Sequence, residues 1–209
     1  KIKVILGGVD SKFKKYPNVK PSPRFKITKP YAIYTGGDDF RKNLHAIVYA
    51  FGKANSLLLS KYQLVIVGDI YNKEKLFQLA AKASLAKENL IITGYVSDDD
   101  LVKLYNAAEL FIYPSLYEGL GLPVLEAMAC EVPVLTANTS SLHEITGDAA
   151  YKVNPASLAE IVHGLTVLLS QPTIRNLYRI KGLEQAKKFQ WLNVAQSVIE
   201  EYKKQSIIN

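Results

Sequence analysis

The chain has 209 residues, of which 48% are hydrophobic and 22% are charged, and its formal net charge is +7. This composition is typical of a globular protein with a sizeable core, and it excludes a disordered tail, a collagen and a disulfide scaffold. No apolar run approaches the roughly 20 residues that span a bilayer, which excludes a transmembrane helix.

The single cysteine and the first residues of the chain indicate its cellular location. Cys130 has no second cysteine with which to form an internal disulfide, which is typical of a reducing compartment. No secretory signal is visible, so we predict a cytoplasmic location. The chain begins at Lys1 and its only methionine is Met128, so we interpret it as a piece of a longer protein.

The positive charge lies almost entirely in the first 30 residues. They contain nine basic residues and one acidic residue, a net charge of +8, whereas the other 179 residues, with 17 basic and 18 acidic, carry −1. A basic face on the folded domain is therefore missing, and we predict no nucleic-acid partner. Four prolines interrupt this segment, so we interpret residues 1–30 as a solvated, basic interdomain linker. The alternative is a cationic surface beside an anionic ligand or a membrane.

Strands are predicted along most of the chain. A short one is expected at 2–6, and from Tyr31 onward strands alternate with helices. The later candidates are short runs of consecutive apolar residues, which strands buried on both faces require. They cover residues 31–35, 63–67, 90–93, 110–113, 132–136 and 150–153.

Apolar residues at helical spacing fill the intervals between these strands. Helices are predicted over 44–51, over 101–108 behind the cap Ser97, over 158–169, and as a pair within 174–204. The alternation predicts an α/β fold, a doubly wound Rossmann-like parallel sheet with extra C-terminal helices, as one domain over residues 31–209. In such a sheet ligands bind beyond the carboxyl ends of the strands, where the strand order reverses.

The loop after the first main strand has the composition of an anion site. Gly36 and Gly37 allow a close backbone approach, and Arg41 and Lys42 follow at the start of a helix. A helix N-terminus disfavours a cation by up to about 1 kcal/mol, so two cations there indicate a bound anion. The arginine fork and the lysine point charge suit a diphosphate. The alternative is a pair of surface charges on a loop.

The loop after the fourth main strand combines glycines with carboxylates. Gly119 and Gly121 leave backbone amides open to a ligand, and Pro123 is expected at the first position of a helix whose N-terminus suits phosphate. Glu118 lies in the loop and Glu126 about one turn into the helix; carboxylates accept strong hydrogen bonds from sugar or ribose hydroxyls. The alternatives are a turn residue and a solvent-facing helix residue.

Two further segments follow strands. The Gly94, Tyr95 and Val96 loop is predicted to border a flat base, with ordinary packing as the alternative for Tyr95, and residues 138–141 are interpreted as a helix cap. The dinucleotide fingerprint, the Walker phosphate loop and a histidine–cysteine cluster are all missing from the sequence. We therefore expect no cofactor and no metal.

These motifs together resemble a known family. The segment 114–127, with Glu118 and Glu126 in it, is similar to the signature of the retaining GT-B glycosyltransferases called group 1 or family 4. The segments 41–43, 94–96, 132–134 and 140–144 are similar to the same family in the same order. The resemblance covers roughly residues 31–200 and extends only to the second, donor-binding domain, so the acceptor domain would be a missing partner.

The resemblance implies sugar transfer from a nucleotide-diphosphate sugar to an acceptor hydroxyl, with retained anomeric configuration and without a metal. Arg41 and Lys42 would hold the diphosphate, Glu126 the ribose and Glu118 the transferred sugar. The amides of Gly119, Leu120, Gly121 and Leu122 would assist, and residues 94–96 would border the base. The isolated piece should be inactive, and the full-length enzyme would lie in the cytoplasm or at the inner membrane face. The alternatives are a GT-B epimerase or phosphorylase and a non-catalytic nucleotide-sugar binding module.

Overall fold

A six-stranded parallel sheet forms the centre of the computed structural model, which describes residues 2–206. Its strand order is β3-β2-β1-β4-β5-β6, so the order reverses between β1 and β4. Lys1 and residues 207–209, which belong to the predicted segments 1–30 and 31–209, lie outside the described residues. The strands are β1 Tyr31–Thr35, β2 Gln63–Val67, β3 Leu90–Gly94, β4 Leu110–Tyr113, β5 Val134–Ala137 and β6 Tyr151–Val153.

The predicted doubly wound, Rossmann-like sheet is confirmed. Every residue of β1, β2, β4 and β5 is buried, as the continuous apolar runs predict for strands covered on both faces. All neighbouring strands pair in parallel. The carboxyl ends of the strands therefore share one edge, where the ligand of such a sheet is expected.

Eight α-helices occur among the described residues, and none of them combines the length and apolar content that crossing a bilayer requires. The predicted cap of α3 is confirmed, since Ser97 Oγ accepts from the backbone N–H of Asp100 at 3.3 Å. The helices are α1 Leu44–Leu57, α2 Lys73–Lys82, α3 Asp98–Asn106, α4 Leu122–Ala129, α5 Ser140–Thr146, α6 Leu158–Ser170, α7 Pro172–Ala186 and α8 Trp191–Ser206.

The strand predicted at 2–6 is wrong. These residues have no regular structure, and Ile2 and Val4 are 96% and 71% exposed. The nearest strand-like contact is a single parallel bridge between Val9 and Gln190, in which Val9 N–H donates to the Phe189 carbonyl at 2.7 Å. Lys3 of this segment lies 3.6 Å from the Glu201 carboxylate of α8, and none of residues 2–6 pairs with a strand of the sheet.

The basic segment packs on the domain between residues 9 and 29. Phe13 and Phe25 are buried in the core. Lys12 Nζ lies 2.7 Å from a carboxylate oxygen of Asp98 at the start of α3, and the Asn106 side chain accepts from the Tyr16 N–H at 2.7 Å. Residues 9–29 are therefore not a free linker, because their phenylalanines are buried and Lys12 and Arg24 pair with the acidic first turn of α3. Most of their basic residues are nevertheless exposed, as the solvated interpretation predicts. The position of the basic segment between two domains stays a prediction.

Candidate functional site

Three glycines bring the carboxyl ends of β1, β2 and β3 into contact. The N–H of Gly36 donates to the Val67 carbonyl at 2.8 Å, and the N–H of Gly68 donates to the Gly94 carbonyl at 3.0 Å. All three glycines have positive φ, and a Cβ on Gly68 would collide with the carbonyl oxygen of Gly36. Gly68 was not among the predicted site residues, although the sequence contains its signal: each of these glycines ends a predicted strand or follows one directly.

The loops after β1 and β4 meet across the reversal of strand order. Lys42 Nζ lies 2.8 Å from Glu118 Oε1 and 2.6 Å from the Tyr113 hydroxyl oxygen. The side chains of Lys42 and Glu118 are 25% and 12% exposed, so water screens this ion pair only partly. The backbone joins the loops as well, since the N–H of Leu116 donates to the Arg41 carbonyl at 2.8 Å. Tyr113 was not among the predicted site residues, because its position in a buried strand indicates only a role in the core.

Arg41 lies beside this pair at the exposed rim of the loop. Its guanidinium contacts both carboxylate oxygens of Asp39, at 2.8 and 3.1 Å, and this contact lowers the pKa of Asp39 to about 2. The same contact raises the pKa of Arg41, with a further contribution from the charge of Glu118. Each predicted cation therefore already has a carboxylate partner, and an anionic ligand would compete with Asp39 and Glu118 for them.

Glu126 has different surroundings. Its carboxylate accepts from the Tyr105 hydroxyl at 3.3 Å, and that hydroxyl lies 3.2 Å from Thr35 Oγ1 at the end of β1. Burial raises the pKa of Glu126, and the charges that act on it come from Asp98, Lys12 and Asp10. The structure thus brings Lys42, Glu118 and Arg41 together, and connects Glu126 to the same sheet edge through Tyr105.

The loop 118–122 is open at its tip and anchored at its base. Gly119 is exposed, and an added Cβ there would have no atom within 4 Å. The Glu118 N–H donates to Ser140 Oγ at 3.3 Å, and Ser141 Oγ donates to the Glu118 carbonyl at 2.9 Å. The cap predicted at 138–141 is wrong, since Thr139 precedes α5 without a capping side-chain hydrogen bond. The hydroxyls of Ser140 and Ser141 bond to the backbone of Glu118 instead.

The start of α4 differs slightly from the prediction. The helix begins at Leu122, so Pro123 occupies the second helical position and not the first. Gly121 adopts φ of +89°, and a Cβ there would collide with Leu142 of α5. Leu120 is half-buried, and Leu122 is 38% exposed.

The loop after β3 presents one aromatic ring to solvent. Tyr95 is 83% exposed, whereas Val96 is buried, so ordinary packing does not describe Tyr95. A cavity of about 670 Å³ lies between the loops after β1 and β2, and its lining residues are Gly37, Asp38, Asp39, Asp69 and Tyr71. Among residues 2–206 no three His, Cys, Asp or Glu side chains are grouped so as to hold a metal ion.

Replacement of Glu126 by glutamine should raise the free energy of unfolding at about pH 8 and change it less at about pH 4. Because burial raises the folded-state pKa of Glu126 above its unfolded value of 4.5, the native state binds the extra proton. Stability is therefore lost as pH rises through the folded pKa, and the amide removes that loss.

Urea denaturation at both pH values measures this effect. Glu144→Gln, at an exposed position of α5, is the control and should change the free energy of unfolding by about 0.5 kcal/mol or less. A destabilised Glu126→Gln variant at the higher pH would contradict the assigned burial effect.

Comparisons with known proteins agree with this geometry. The family model described as "Glycosyl transferases group 1" matches residues 16–187. O-antigen chain mannosyltransferase B of Escherichia coli is 38% identical over 175 residues, which are 83% of this chain and 45% of that protein. The chain thus spans about half the length, or less, of the curated relatives that it matches.

Two crystal structures show the same fold. The C-terminal domain of a group 1 glycosyl transferase (LpcC) from Francisella tularensis matches with a TM-score of 0.74 and 25% identity, over 87% of this chain and 97% of that chain. Anabaena HepE in complex with UDP and glucose matches with a TM-score of 0.83 and 18% identity, over 97% of this chain and 57% of that chain.

The family match covers most of the chain and contains Arg41, Lys42, Glu118 and Glu126. The parallel sheet and its helices agree with the structures of GT-B enzymes. The chain therefore belongs to the group 1 glycosyl transferase family and has the Rossmann-like fold of GT-B glycosyltransferases.

Proposed function

We propose that this chain is the donor-binding domain of a glycosyltransferase that transfers a sugar from a nucleotide sugar to an acceptor hydroxyl with retained anomeric configuration. The observation that carries the proposal is the contact of Lys42 with Glu118 where the strand order reverses, with Arg41 beside it. This place combines cations for a diphosphate with a carboxylate for a sugar hydroxyl.

In this proposal the two cations bind the diphosphate and Glu118 binds the transferred sugar. Lys42 exchanges Glu118 for phosphate oxygens, and Glu118 then accepts from sugar hydroxyls. Glu126 accepts from the ribose hydroxyls, and the exposed Tyr95 with its neighbours Gly94 and Val96 borders the base. The open amides after Glu118 supply further donors for the phosphates.

The proposed chemistry depends on charge that develops on the leaving diphosphate. Fixed cations stabilise that charge more in the transition state than in the ground state, and this lowers the barrier. Arg41 and Lys42 supply the positive charge, so the proposal includes no divalent ion and no cofactor. Closure of an N-terminal acceptor domain would exclude water and bring the acceptor hydroxyl to the anomeric carbon.

The biological setting follows from the relatives. Two are named O-antigen chain mannosyltransferases, which supports a hexosyl transfer in polysaccharide biosynthesis. We propose a cytoplasmic enzyme that associates peripherally with the inner membrane face, where lipid-linked acceptors are built.

The test has two arms. The 209-residue chain should bind UDP, GDP or ADP in a calorimetric titration and transfer no sugar by itself, since it spans only part of the relatives. The full-length enzyme should release the nucleoside diphosphate only with an acceptor present, and NMR of the product should show the donor's anomeric configuration. Conversion of the nucleotide sugar without an acceptor would instead identify an epimerase, and binding without any conversion would identify a binding module.

A further inference from the structure

We propose that Tyr113 is a positioning residue for Lys42: its hydroxyl keeps the ammonium group at the diphosphate site when Glu118 turns to a sugar hydroxyl. The inference rests on the proposed function and extends it to a residue outside the loops that carry the charges. Lys42 Nζ donates to two acceptors in this structure, the Tyr113 hydroxyl at 2.6 Å and Glu118 at 2.8 Å. If Glu118 leaves Lys42 when the donor binds, the Tyr113 hydroxyl remains as an acceptor.

Packing makes Tyr113 the fixed acceptor of the two. Its ring is fully buried and stacks on Tyr34 at 6.1 Å and on Phe111 at 5.4 Å between centroids. Its carbonyl accepts from Thr136 Oγ1 of the neighbouring strand at 3.0 Å. A fully buried ring that stacks on two neighbours is held in one orientation by the close packing of the core, so its hydroxyl stays at a constant place for the ammonium.

Glu118 is the movable acceptor. Its hydrogen bonds to Ser140 and Ser141 hold its backbone, not its carboxylate. The next residue, Gly119, is exposed and has open space around it. The backbone hydrogen bonds of Glu118 can therefore stay in place when its carboxylate exchanges Lys42 for another partner.

The chemistry of the two acceptors also differs. Burial, together with the charge of Glu118, raises the pKa of Tyr113, so its hydroxyl stays neutral at neutral pH. A neutral acceptor orients the ammonium and leaves its charge available to a phosphate, whereas a carboxylate neutralises that charge. Tyr113 thus holds the Lys42 ammonium in place without neutralising the positive charge that attracts the donor diphosphate.

A double-mutant cycle tests this role. The affinity of the 209-residue chain is measured for GDP, UDP or ADP, whichever it binds most tightly. Tyr113→Phe should weaken binding about 3- to 10-fold, the net worth of one ordinary hydrogen bond, because the hydroxyl acts on the nucleotide only by orienting Lys42. In a Lys42→Met background, which keeps the aliphatic stem, Tyr113→Phe should have no further effect.

Tyr31→Phe is the matched control, because it removes a buried tyrosine hydroxyl, which donates to the Leu104 carbonyl at 2.6 Å, from the amino end of β1. It should lower the melting temperature without changing nucleotide affinity. An equal loss from Tyr113→Phe in both backgrounds, or no loss in the unmodified one, would overturn the positioning role and leave the proposed function intact. Failure of the unmodified chain to bind any of the three nucleotides would overturn both.

Discussion

The double variant Arg41→Ala/Lys42→Ala is expected to bind nucleoside diphosphates at least about 100-fold more weakly than the unmodified chain. Each charge-assisted hydrogen bond contributes roughly 1.5–3 kcal/mol, and the site offers one from each cation. The loss is increased by Glu118, which touches Lys42 at 2.8 Å and would face the phosphates without a compensating charge. Calorimetric titration with GDP, UDP and ADP measures the effect.

Net charge alone must be separated from this local effect. Arg179→Ala/Lys181→Ala removes the same pair of residue types from exposed positions of α7, a helix that begins near the amino end of the sheet. This control lowers the net charge equally and should leave nucleotide affinity within about twofold of the unmodified chain, since screening weakens distant charges. Equal affinity of the Arg41/Lys42 variant and the unmodified chain would refute the diphosphate assignment.

Gly68→Ala should destabilise the protein by about 3 kcal/mol, because strained backbone and overpacking act together at this position. Gly68 adopts φ of +131°, where a side chain is strained whatever the space around it. The added Cβ would also collide with the carbonyl of Gly36, so the loop after β1 would have to shift. Urea denaturation gives the change in the free energy of unfolding.

Gly119→Ala provides the comparison for the same substitution at the same edge of the sheet. Its backbone lies outside the left-handed region and its Cβ would meet no atom within 4 Å. The free energy of unfolding should therefore change by about 0.5 kcal/mol or less. Equal stability of the two variants would show that the contact between Gly68 and Gly36 is unimportant for the fold.

The strands were predictable almost residue by residue. Three of the six, β1, β2 and β4, begin and end at the predicted residues, because a strand covered on both faces is apolar at most of its successive positions. The predicted bounds of β3 and β6 differ from the structure by one residue at one end, and those of β5 by two residues at its start and one at its end. The prediction of a strand at 2–6 was wrong because an apolar run indicates burial or strand pairing but does not identify the element with which it would pair.

Charge patterns were less informative about packing. The basic residues of the first segment suggest solvent exposure when they are counted alone. Three of them, Lys12, Arg24 and Lys29, instead contact polar or acidic side chains more than 50 positions away. Ser140 and Ser141 are a second example. Their place before a helix indicates a helix cap, whereas in the folded chain their hydroxyls bond to the backbone of Glu118.

Local features could therefore be predicted from the sequence. They include the apolar runs that must be buried, the glycines that leave the backbone accessible, and the loops that place charged residues beside a strand end. The tertiary structure alone decided which of these groups touch. Lys42 reaches Tyr113 and Glu118 across more than 70 residues of chain, and Gly68 closes on Gly36, because β1 lies between β2 and β4 in the sheet. Contacts of that kind depend on strand order and crossover geometry, which no pattern of neighbouring residues contains.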